Sequence, residues 1–313
     1  MTPLLQAHQV TKVFRSGMTQ RKQTVALRDF SLSIGTDAPS IIAVVGESGS
    51  GKSTMARLLL GLERPTVGEV LYAGEDLRTL NRARRRAFLN DIQAVFQDPF
   101  ASFNPFYKVD HVLEVPINKF GLAPERGASR ALMEEALQAV GLRPPETLGR
   151  YPHQLSGGQR QRIMVARALL MQPKLIIADE PVSMIDASLR ATVLDSLRQC
   201  NEDFGISLIY ITHDLTTAYQ ISHDIIVLYA CSVVEAGAVE QVVKRPQHPY
   251  TQLLISSIPC PTRTASGRMK RHRLKWARRP DLGRVACLHR AARTPSPPVS
   301  KRRPRSFRRG RIN

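Results

Sequence analysis

The sequence lacks long apolar runs, closely spaced cysteines and a recognisable signal peptide. Its longest apolar runs, such as Ile41–Val45, fall well short of the ~18 residues that suggest a membrane-spanning helix. The four cysteines are widely scattered with no CxxC spacing, which favours free thiols in a reducing cytoplasm. Residues 1–9 contain neither the basic stretch nor the long apolar region of a signal peptide, so we expect a chain that stays in the cytoplasm.

Acidic residues are almost absent from the last part of the chain. Residues 262–313 contain 18 of the 45 Lys and Arg residues but only one of the 26 acidic residues, which gives this segment a net charge of +17. Residues 1–261 have a net charge of +2. We therefore expect a globular domain over residues 1–261, followed by a basic, disordered tail over residues 262–313.

Two interpretations of this tail remain open. Its charge suits binding to RNA, DNA or anionic lipid, and its few aromatic residues would make nucleic-acid binding non-specific. Alternatively, its Arg-, Pro-, Ser- and Ala-rich composition is what an out-of-frame reading of a GC-rich gene tends to give. Sequencing the gene and searching its other frames would distinguish the two.

Strands alternate with helices along most of the domain, which predicts an α/β fold with a mainly parallel sheet. The predicted strands are Val10–Phe14, Leu27–Ile34, Ile41–Val45, Glu69–Tyr72, Ile92–Phe96, Leu175–Ala178, Ser207–Ile211 and Ile225–Leu228. The predicted helices are Met55–Leu62, Arg82–Leu89, Ser188–Phe204 and Leu215–Ile221. A mostly helical stretch, Val109–Val140, is broken at Pro116 and Pro124, and it predicts a helical subdomain over about residues 100–165.

Residues 46–53, GESGSGKS, fit the pattern G-x-x-x-x-G-K-[ST], directly after a strand and at the start of a helix. The glycines allow several backbone N–H groups to face one phosphate chain, and the helix N-terminus adds a positive dipole end. Lys52 can then reach the β- and γ-phosphates, and the Ser53 hydroxyl can ligate Mg²⁺. The alternative is a Gly/Ser-rich turn without a ligand.

Polar residues also follow three other predicted strands. Asp179 and Glu180 end the strand Leu175–Ala178, where α/β sheets bind ligands; Asp179 suits a Mg²⁺ site and Glu180 suits a general base. A solvated acidic turn is the alternative. Gln97 and His213 follow their strands in the same way, and spacing alone leaves both functional and structural roles open.

The stretch LSGGQ, residues 155–159, raises a different question. Two glycines weaken a helix start by roughly 0.5–1 kcal/mol each, but they expose backbone donors, and Ser156 can cap the helix or contact a phosphate. The chain already has one phosphate loop. We therefore expect this second donor-rich site to complete the nucleotide site of another subunit.

Together, these motifs give the domain a specific resemblance. LSGGQ, the Gly-rich loop before it and LIIADE (175–180) after it resemble the ATP-binding subunit of an ABC transporter over about residues 4–261. FQDPFASFNP (96–105) and HPYTQLLISSIP (248–259) resemble the oligopeptide, dipeptide and nickel importers of that family. The resemblance implies a P-loop ABC ATPase core with a mainly parallel sheet, a small antiparallel N-terminal sheet and an α-helical subdomain.

The resemblance also implies that two subunits close head to tail on ATP and Mg²⁺. The residues expected to contact the nucleotide are Phe14 (on adenine), Gly46, Glu47, Ser48, Gly49, Ser50, Gly51, Lys52, Ser53, Thr54, Ser156, Gly157, Gly158, Gln159 and Asp186. The residues expected to support Mg²⁺ are Ser53, Gln97 and Asp179. The residues expected to act in hydrolysis are Glu180 as base, His213 on the γ-phosphate and Gln97 as its sensor.

The implied partners are a second ATPase subunit, non-identical or identical, and two membrane-spanning permease subunits whose coupling helix docks near residues 98–106. An extracytoplasmic substrate-binding protein acts indirectly, and the implied location is the cytoplasmic face of the inner membrane. Peptides are the expected substrate, with nickel or oligosaccharides as alternatives. A soluble ABC ATPase acting on nucleic acid is less supported, because tandem cassettes and a long coiled-coil insertion are missing; a lone P-loop kinase leaves LSGGQ unexplained.

Two departures from the family pattern stand out. Cys231 occupies a turn where a glycine is expected; if the turn requires a positive φ, cysteine costs on the order of 1 kcal/mol. Residues 262–313 also lack the cysteine-containing extension that is common in the family.

Overall fold

The structure is a computed structural model that describes residues 2–16, 22–35, 38–98, 103–123, 126–183 and 185–258. The strands are β1 Leu5–Ser16, β2 Lys22–Ile34, β3 Ile41–Val45, β4 Val67–Tyr72, β5 Glu75–Asp76, β6 Ile92–Val95, β7 Leu175–Asp179, β8 Ser207–Thr212, β9 Asp224–Tyr229 and β10 Ser232–Ala238. The helices are α1 Lys52–Leu59, α2 Arg82–Asp91, α3 Asp110–Phe120, α4 Arg126–Ala139, α5 Pro144–Thr147, α6 Gly157–Leu169, α7 Ala187–Glu202, α8 Leu215–Ile221, α9 Val239–Lys244 and α10 Pro249–Ser256. A 3₁₀ helix spans Pro152–Gln154.

The strands form two sheets, which confirms the predicted α/β fold. The larger sheet has the order β10-β9-β3-β8-β7-β6; its neighbours pair in parallel except for the antiparallel edge strand β10. The smaller sheet, in the order β2-β1-β4-β5, is antiparallel throughout. It contains both N-terminal strands, in agreement with the predicted antiparallel sheet.

Apolar residues cover both faces of the larger sheet. Successive residues of β3 alternate between two hydrophobic clusters: Ala43 and Val45 belong to one, and Val44 belongs to the other. The first cluster also contains residues of α3, α4, α6 and α7, whereas the second contains residues of α1 and the antiparallel sheet. Because the central strands are covered on both sides, their sequences are continuous apolar runs.

Register brings the carboxyl ends of the central strands together. Val45 at the end of β3 pairs with Thr212 of β8, and Ala178 of β7 pairs with Tyr210 of β8. The residues that follow these strands therefore meet at one edge of the sheet, which is where ligands bind in open α/β folds.

Several predicted boundaries are wrong. β1 and β2 reach Ser16 and Lys22, beyond the predicted ends, because antiparallel pairing extends the strands through polar residues. Pro116 does not break a helix but lies inside α3, where its burial beside Leu113 and Ile117 offsets its missing hydrogen bond. Pro124 lies outside the described residues.

Three short elements near the C-terminus, β10, α9 and α10, were absent from the predicted elements. Each contains eight residues or fewer, too few for a clear apolar period. Among the described residues, no helix is long and apolar enough to cross a bilayer.

Candidate functional site

The Gly-rich loop joins β3 to α1 and adopts a backbone that requires glycine. Gly49 and Gly51 have φ values of 82° and 106°, which side-chain-bearing residues rarely adopt. A Cβ at Gly51 would lie 2.5 Å from the carbonyl oxygen of Ala26, and one at Gly46 would clash with the Leu228 carbonyl. The glycines therefore allow both the tight turn and the close approach of neighbouring backbone.

The ammonium group of Lys52 lies within this loop. Its Nζ donates to the carbonyl oxygens of Gly46 at 2.8 Å and Glu47 at 2.9 Å, and the side chain is buried. Burial lowers the pKa of Lys52, while the carboxylates of Glu180 and Asp179 oppose this effect. Among the described residues, the hydrogen bonds of this ammonium group go to two neutral carbonyl groups, which an anionic phosphate can replace.

Asp179, the last residue of β7, has one carboxylate oxygen buried without a partner. Burial raises the pKa of Asp179, and a hydrogen bond from Ser53 opposes this shift. Its Oδ1 atom has no hydrogen-bond partner among the described residues. A buried carboxylate oxygen beside a serine hydroxyl fits a divalent cation such as Mg²⁺, whose preferred ligands are oxygens.

Glu180 contacts both of the other predicted catalytic residues. Its Oε2 accepts a hydrogen bond from Gln97 Nε2 at 3.1 Å, and its Oε1 lies 3.1 Å from Nδ1 of His213. Glu180 has a positive φ of 46°, and its N–H donates to the carbonyl of Ile211. This strained backbone holds the carboxylate between groups from three strands.

Most of these groups line a cavity of about 870 Å³; Gly46 and Asp179 are not among its lining residues. The predicted site residues that line it are Phe14, Glu47, Ser48, Gly49, Ser50, Gly51, Lys52, Ser53, Thr54, Gln97, Glu180 and His213. Phe14 lies at the cavity wall with 39% of its surface exposed, and Lys12 Nζ lies 4.8 Å from its ring centroid. The exposed aromatic face is available to a planar ligand.

LSGGQ lies elsewhere, and its helix start is better ordered than the glycines suggest. Ser156, Gly157, Gly158 and Gln159 are not among the described residues that line the cavity. Ser156 Oγ accepts from Gln159 N at 3.2 Å, and Gln159 Oε1 accepts from Ser156 N at 2.9 Å. This reciprocal capping box stabilises the start of α6, which confirms Ser156 as the cap and offsets part of the cost of the two glycines.

Gly158 has a packing role that the sequence did not indicate. A Cβ at this position would lie 3.1 Å from Cδ1 of Leu189, in the first turn of α7. Asp186 precedes that helix, is exposed and lies outside the cavity lining; its carbonyl accepts from the backbone N–H groups of Leu189 and Arg190. The two helix starts therefore pack together away from the chain's own cavity.

Sequence reasoning missed part of the cavity wall. Tyr229, Ala230, Cys231 and the segment Thr24–Ala26 also line it. Cys231 has a φ of 69°, which confirms the predicted left-handed turn, and its buried thiol donates to Val25 O at 3.2 Å. Of these residues only Cys231 carried a signal, through its place in the turn.

Comparisons with known proteins agree with this geometry. Residues 27–183 match the family described as ABC transporter, and residues 234–285 match the oligopeptide/dipeptide transporter C-terminal region. The second match continues past the predicted domain boundary at residue 261, so part of the basic tail falls within it. The boundary itself stays a prediction.

Two curated relatives carry transport names. The oligopeptide transport ATP-binding protein AppF of Bacillus subtilis is 39% identical over 87% of this chain and 83% of its own length. The dipeptide transport ATP-binding protein DppF of Escherichia coli is 41% identical over 82% of this chain and 77% of its own. Among solved structures, the ATP-binding cassette MJ0796, a dimer in a post-hydrolysis state bound to ADP and Pi, superposes with a TM-score of 0.65 at 28% identity, covering 75% of this chain and 98% of that one.

Proposed function

Because the chain belongs to the ABC transporter family, we propose that its ATPase activity powers the import of peptides through a membrane transporter. The observation that carries the proposal is one cavity that joins the Gly-rich loop to Gln97, Glu180 and His213, with the LSGGQ segment outside its lining. The names of the relatives AppF and DppF support peptides as the cargo. Nickel and oligosaccharides are the alternatives that an uptake assay would distinguish.

In this proposal two ATPase subunits close head to tail, and each nucleotide contacts the Gly-rich loop of one subunit and LSGGQ of the other. Ser156, Gly157, Gly158, Gln159 and Asp186 of one chain then face the partner's nucleotide. The dimeric structure of the cassette MJ0796, bound to ADP and Pi, supports the pairing of two such subunits. We propose that the partner is a non-identical ATPase subunit. Dimerisation of the isolated subunit with ATP would instead indicate an identical partner.

The residues of the loop bind the phosphates. Lys52 exchanges its two carbonyl acceptors for β- and γ-phosphate oxygens, and the loop N–H groups at the start of α1 add further donors. Phe14 stacks on the adenine ring through its exposed face. Thr54, which also lines the cavity, adds a hydroxyl beside the loop.

Ser53, Asp179 and Gln97 would hold Mg²⁺, which supplies charge neutralisation on the phosphates when bound. Glu180 orients the attacking water and accepts its proton. His213 contacts the γ-phosphate, and its contact with Glu180 keeps the carboxylate aligned. Gln97 links the same carboxylate to the segment that follows β6, so it can signal the presence of the γ-phosphate.

A groove beside that segment suits the permease subunits. Three exposed apolar side chains, Leu62, Leu89 and Phe96, line a cavity of about 380 Å³ between α2, β6 and α3. The charged residues in its lining are Lys119 and Arg167, both basic. Burial lowers the pKa of Arg167, and no described carboxylate contacts it.

The occupant that matches this groove is a short permease helix with an apolar face and a carboxylate. Residues 99–102 of the predicted docking segment lie outside the described residues, while Phe106 is strongly exposed. Such docking would place the subunit on the cytoplasmic face of the inner membrane. The substrate-binding protein would act only through the permeases.

The test combines purification and uptake. We expect the full chain to co-purify with two membrane subunits and to support ATP-dependent uptake of labelled peptide into vesicles. Leu89→Asp should abolish co-purification while leaving ATP binding intact, whereas Leu253→Asp, at an exposed position on α10, should change neither. Co-purification of the Leu89→Asp variant would contradict the docking groove, and uptake of nickel instead of peptide would contradict the substrate.

The tail carries a separate proposal, because residues 262–313 have a net charge of +17. Such a segment binds any polyanion by counterion release, with a steep loss of affinity as salt rises. Truncation after Pro261 or after Val285 would separate the region matched to the transporter family from the remaining residues. We expect both variants to keep ATPase activity. Truncation after Pro261 should abolish RNA binding, whereas truncation after Val285 should only weaken it, because residues 262–285 keep nine basic residues and one acidic residue, a net charge of +8. Sequence-specific binding that persists at high salt would contradict a non-specific role.

A further inference from the structure

The C-terminal helix α10 contacts the Gly-rich loop directly. The backbone N–H of Glu47 donates a hydrogen bond of 2.9 Å to the hydroxyl oxygen of Tyr250. Tyr250 is buried, and 203 positions separate the two residues. This contact joins the segment HPYT to the loop that binds phosphate.

The peptide groups on either side of Glu47 are fixed by other bonds as well. The Glu47 carbonyl accepts from Lys52 Nζ at 2.9 Å and from the Ser50 N–H at 3.1 Å. Tyr250 therefore holds the N–H of the same residue whose carbonyl holds the phosphate-binding lysine. Without the hydroxyl, this N–H would lose its partner at the first bend of the loop.

A second contact connects Tyr250 to the cavity. The ring of Tyr229 stacks on the ring of Tyr250 with centroids 4.3 Å apart and planes at 27°. Tyr229 itself lines the nucleotide cavity and is partly exposed. Aromatic pairs of this kind contribute beyond the area that they bury, so the two rings form one unit between α10 and the site.

The position of Tyr250 is set by bonds at the start of α10. Both oxygens of the Glu235 carboxylate accept backbone N–H groups, from Gln247 at 2.9 Å and from His248 at 3.0 Å. His248 Nδ1 accepts from Tyr250 N at 3.1 Å, which caps the helix. Edge strand β10, through Glu235, thus anchors the helix that presents the hydroxyl.

We propose that Tyr250 is a positioning residue of the ATPase site, which holds Glu47 so that the Gly-rich loop and Lys52 keep their phosphate-binding geometry. The segment matched to the oligopeptide/dipeptide transporter C-terminal region is then part of the nucleotide site. The inference rests on the ATPase activity and on the loop's role in it. Tyr250 touches no substrate atom; it acts through Glu47.

The test is ATP binding to the full chain by titration calorimetry, with Tyr250→Phe as the variant. Phenylalanine keeps the ring stack but removes the acceptor, so we expect ATP affinity to fall about threefold to tenfold, the range of one net hydrogen bond. Tyr210→Phe is the matched control: it also removes a buried tyrosine hydroxyl, which is bonded to Thr217 at 3.0 Å and lies outside the cavity lining. It should lose thermal stability without losing ATP affinity.

In the assembled transporter, Tyr250→Phe should raise KM for ATP and leave kcat unchanged, since Glu180, Gln97 and His213 are untouched. Tyr229→Phe keeps a ring stacked on Tyr250 and Tyr229→Ala removes it, so the alanine variant should bind ATP more weakly than the phenylalanine variant. The Tyr229 pair serves as the test if Tyr250→Phe fails to fold.

Wild-type ATP affinity in Tyr250→Phe would overturn the role of Tyr250 but not the ATPase activity. An equal loss of ATP affinity in Tyr210→Phe would do the same. Absence of ATP binding in the wild type would overturn the activity with it.

Discussion

Two glycine-rich helix starts in this chain use their backbone donors differently. At α1 the residue before the helix is Gly51 in a left-handed conformation, and no described side chain caps the helix. At α6 the residues Ser156 and Gln159 cap each other. The first start leaves its N–H groups to a ligand, whereas the second is complete before any ligand arrives.

The two helix starts also differ in what surrounds them. Lys52, Asp179 and Glu180 surround the first, and these charges supply what phosphates and a cation require. At the second start, Ser156, Gly157, Gly158 and Gln159 do not line the cavity that contains these charges. In the head-to-tail arrangement that we propose, this capped start, where Gly158 packs on Leu189, would close onto a nucleotide that another subunit already holds.

The largest effect is expected at the first start, from Glu180→Gln. The amide cannot accept a proton from water, so hydrolysis should fall by roughly 10²–10⁴-fold while ATP binding persists. The readout is phosphate release by the assembled transporter, beside ATP affinity of the subunit. Glu202→Gln on the exposed face of α7 is the control and should keep wild-type rates; wild-type turnover in Glu180→Gln would remove this residue from the role of base.

Lys52→Ala should have the next largest effect, on binding itself. Deleting a cation that bonds phosphate oxygens should weaken ATP binding by about 10–100-fold, the size of a charge-assisted hydrogen bond. The matched control is Lys244→Ala, which removes an exposed lysine paired with Glu240. Unchanged ATP affinity in Lys52→Ala, measured by calorimetry, would count against the phosphate role of the Gly-rich loop.

Sequence predicted the first start almost completely, because its chemistry is local. GESGSGKS, the strand before it and the helix after it fix the loop, and strand ends place Gln97, Asp179, Glu180 and His213 at one edge of a parallel sheet. The capping box at Ser156 was only half predicted, since the reciprocal bond from Gln159 was not considered.

Contacts between distant segments could not be predicted in the same way. The hydrogen bond between Glu47 and Tyr250 depends on how α10 packs, and the eight residues of α10 show no clear period. The close approach of Gly158 to Leu189 likewise depends on a tertiary contact between α6 and α7. Helix and strand patterns define the elements; the side chains that meet between them are set by packing.

Ser156→Arg tests the second start and should have a smaller effect. The arginine fills the helix start that closes on the partner's nucleotide, so hydrolysis by the assembled pair should fall about tenfold, equal to about 1.4 kcal/mol of lost closure energy. Binding of ATP to the variant subunit alone should not change. Failure at the variant's own site would contradict the head-to-tail arrangement.

Loss of the cap must be separated from this effect. Ser156→Ala removes only the capping oxygen, which should lower the free energy of unfolding by about 1 kcal/mol. Asn81→Ala is the matched control, because Asn81 Oδ1 caps α2 by accepting from Arg84 N at 2.9 Å. The two alanine variants should be equally destabilised, and only Ser156→Arg should impair hydrolysis by the pair.

The smallest effect is expected at Cys231, in the turn after β9, where its Sγ lies 4.0 Å from the carbonyl oxygen of Gly49 in the Gly-rich loop. The φ of 69° favours glycine. The backbone conformation considered alone therefore predicts that Cys231→Gly stabilises the protein. The buried thiol, bonded to Val25 O, opposes that gain.

We therefore compare glycine with alanine at this position, since both lose the thiol and only glycine relieves the backbone. Cys231→Gly should be more stable than Cys231→Ala by about 1 kcal/mol in denaturant unfolding. An alanine variant as stable as the glycine variant would show that the left-handed turn carries no strain, and that the thiol alone decides which residue fits beside the phosphate loop.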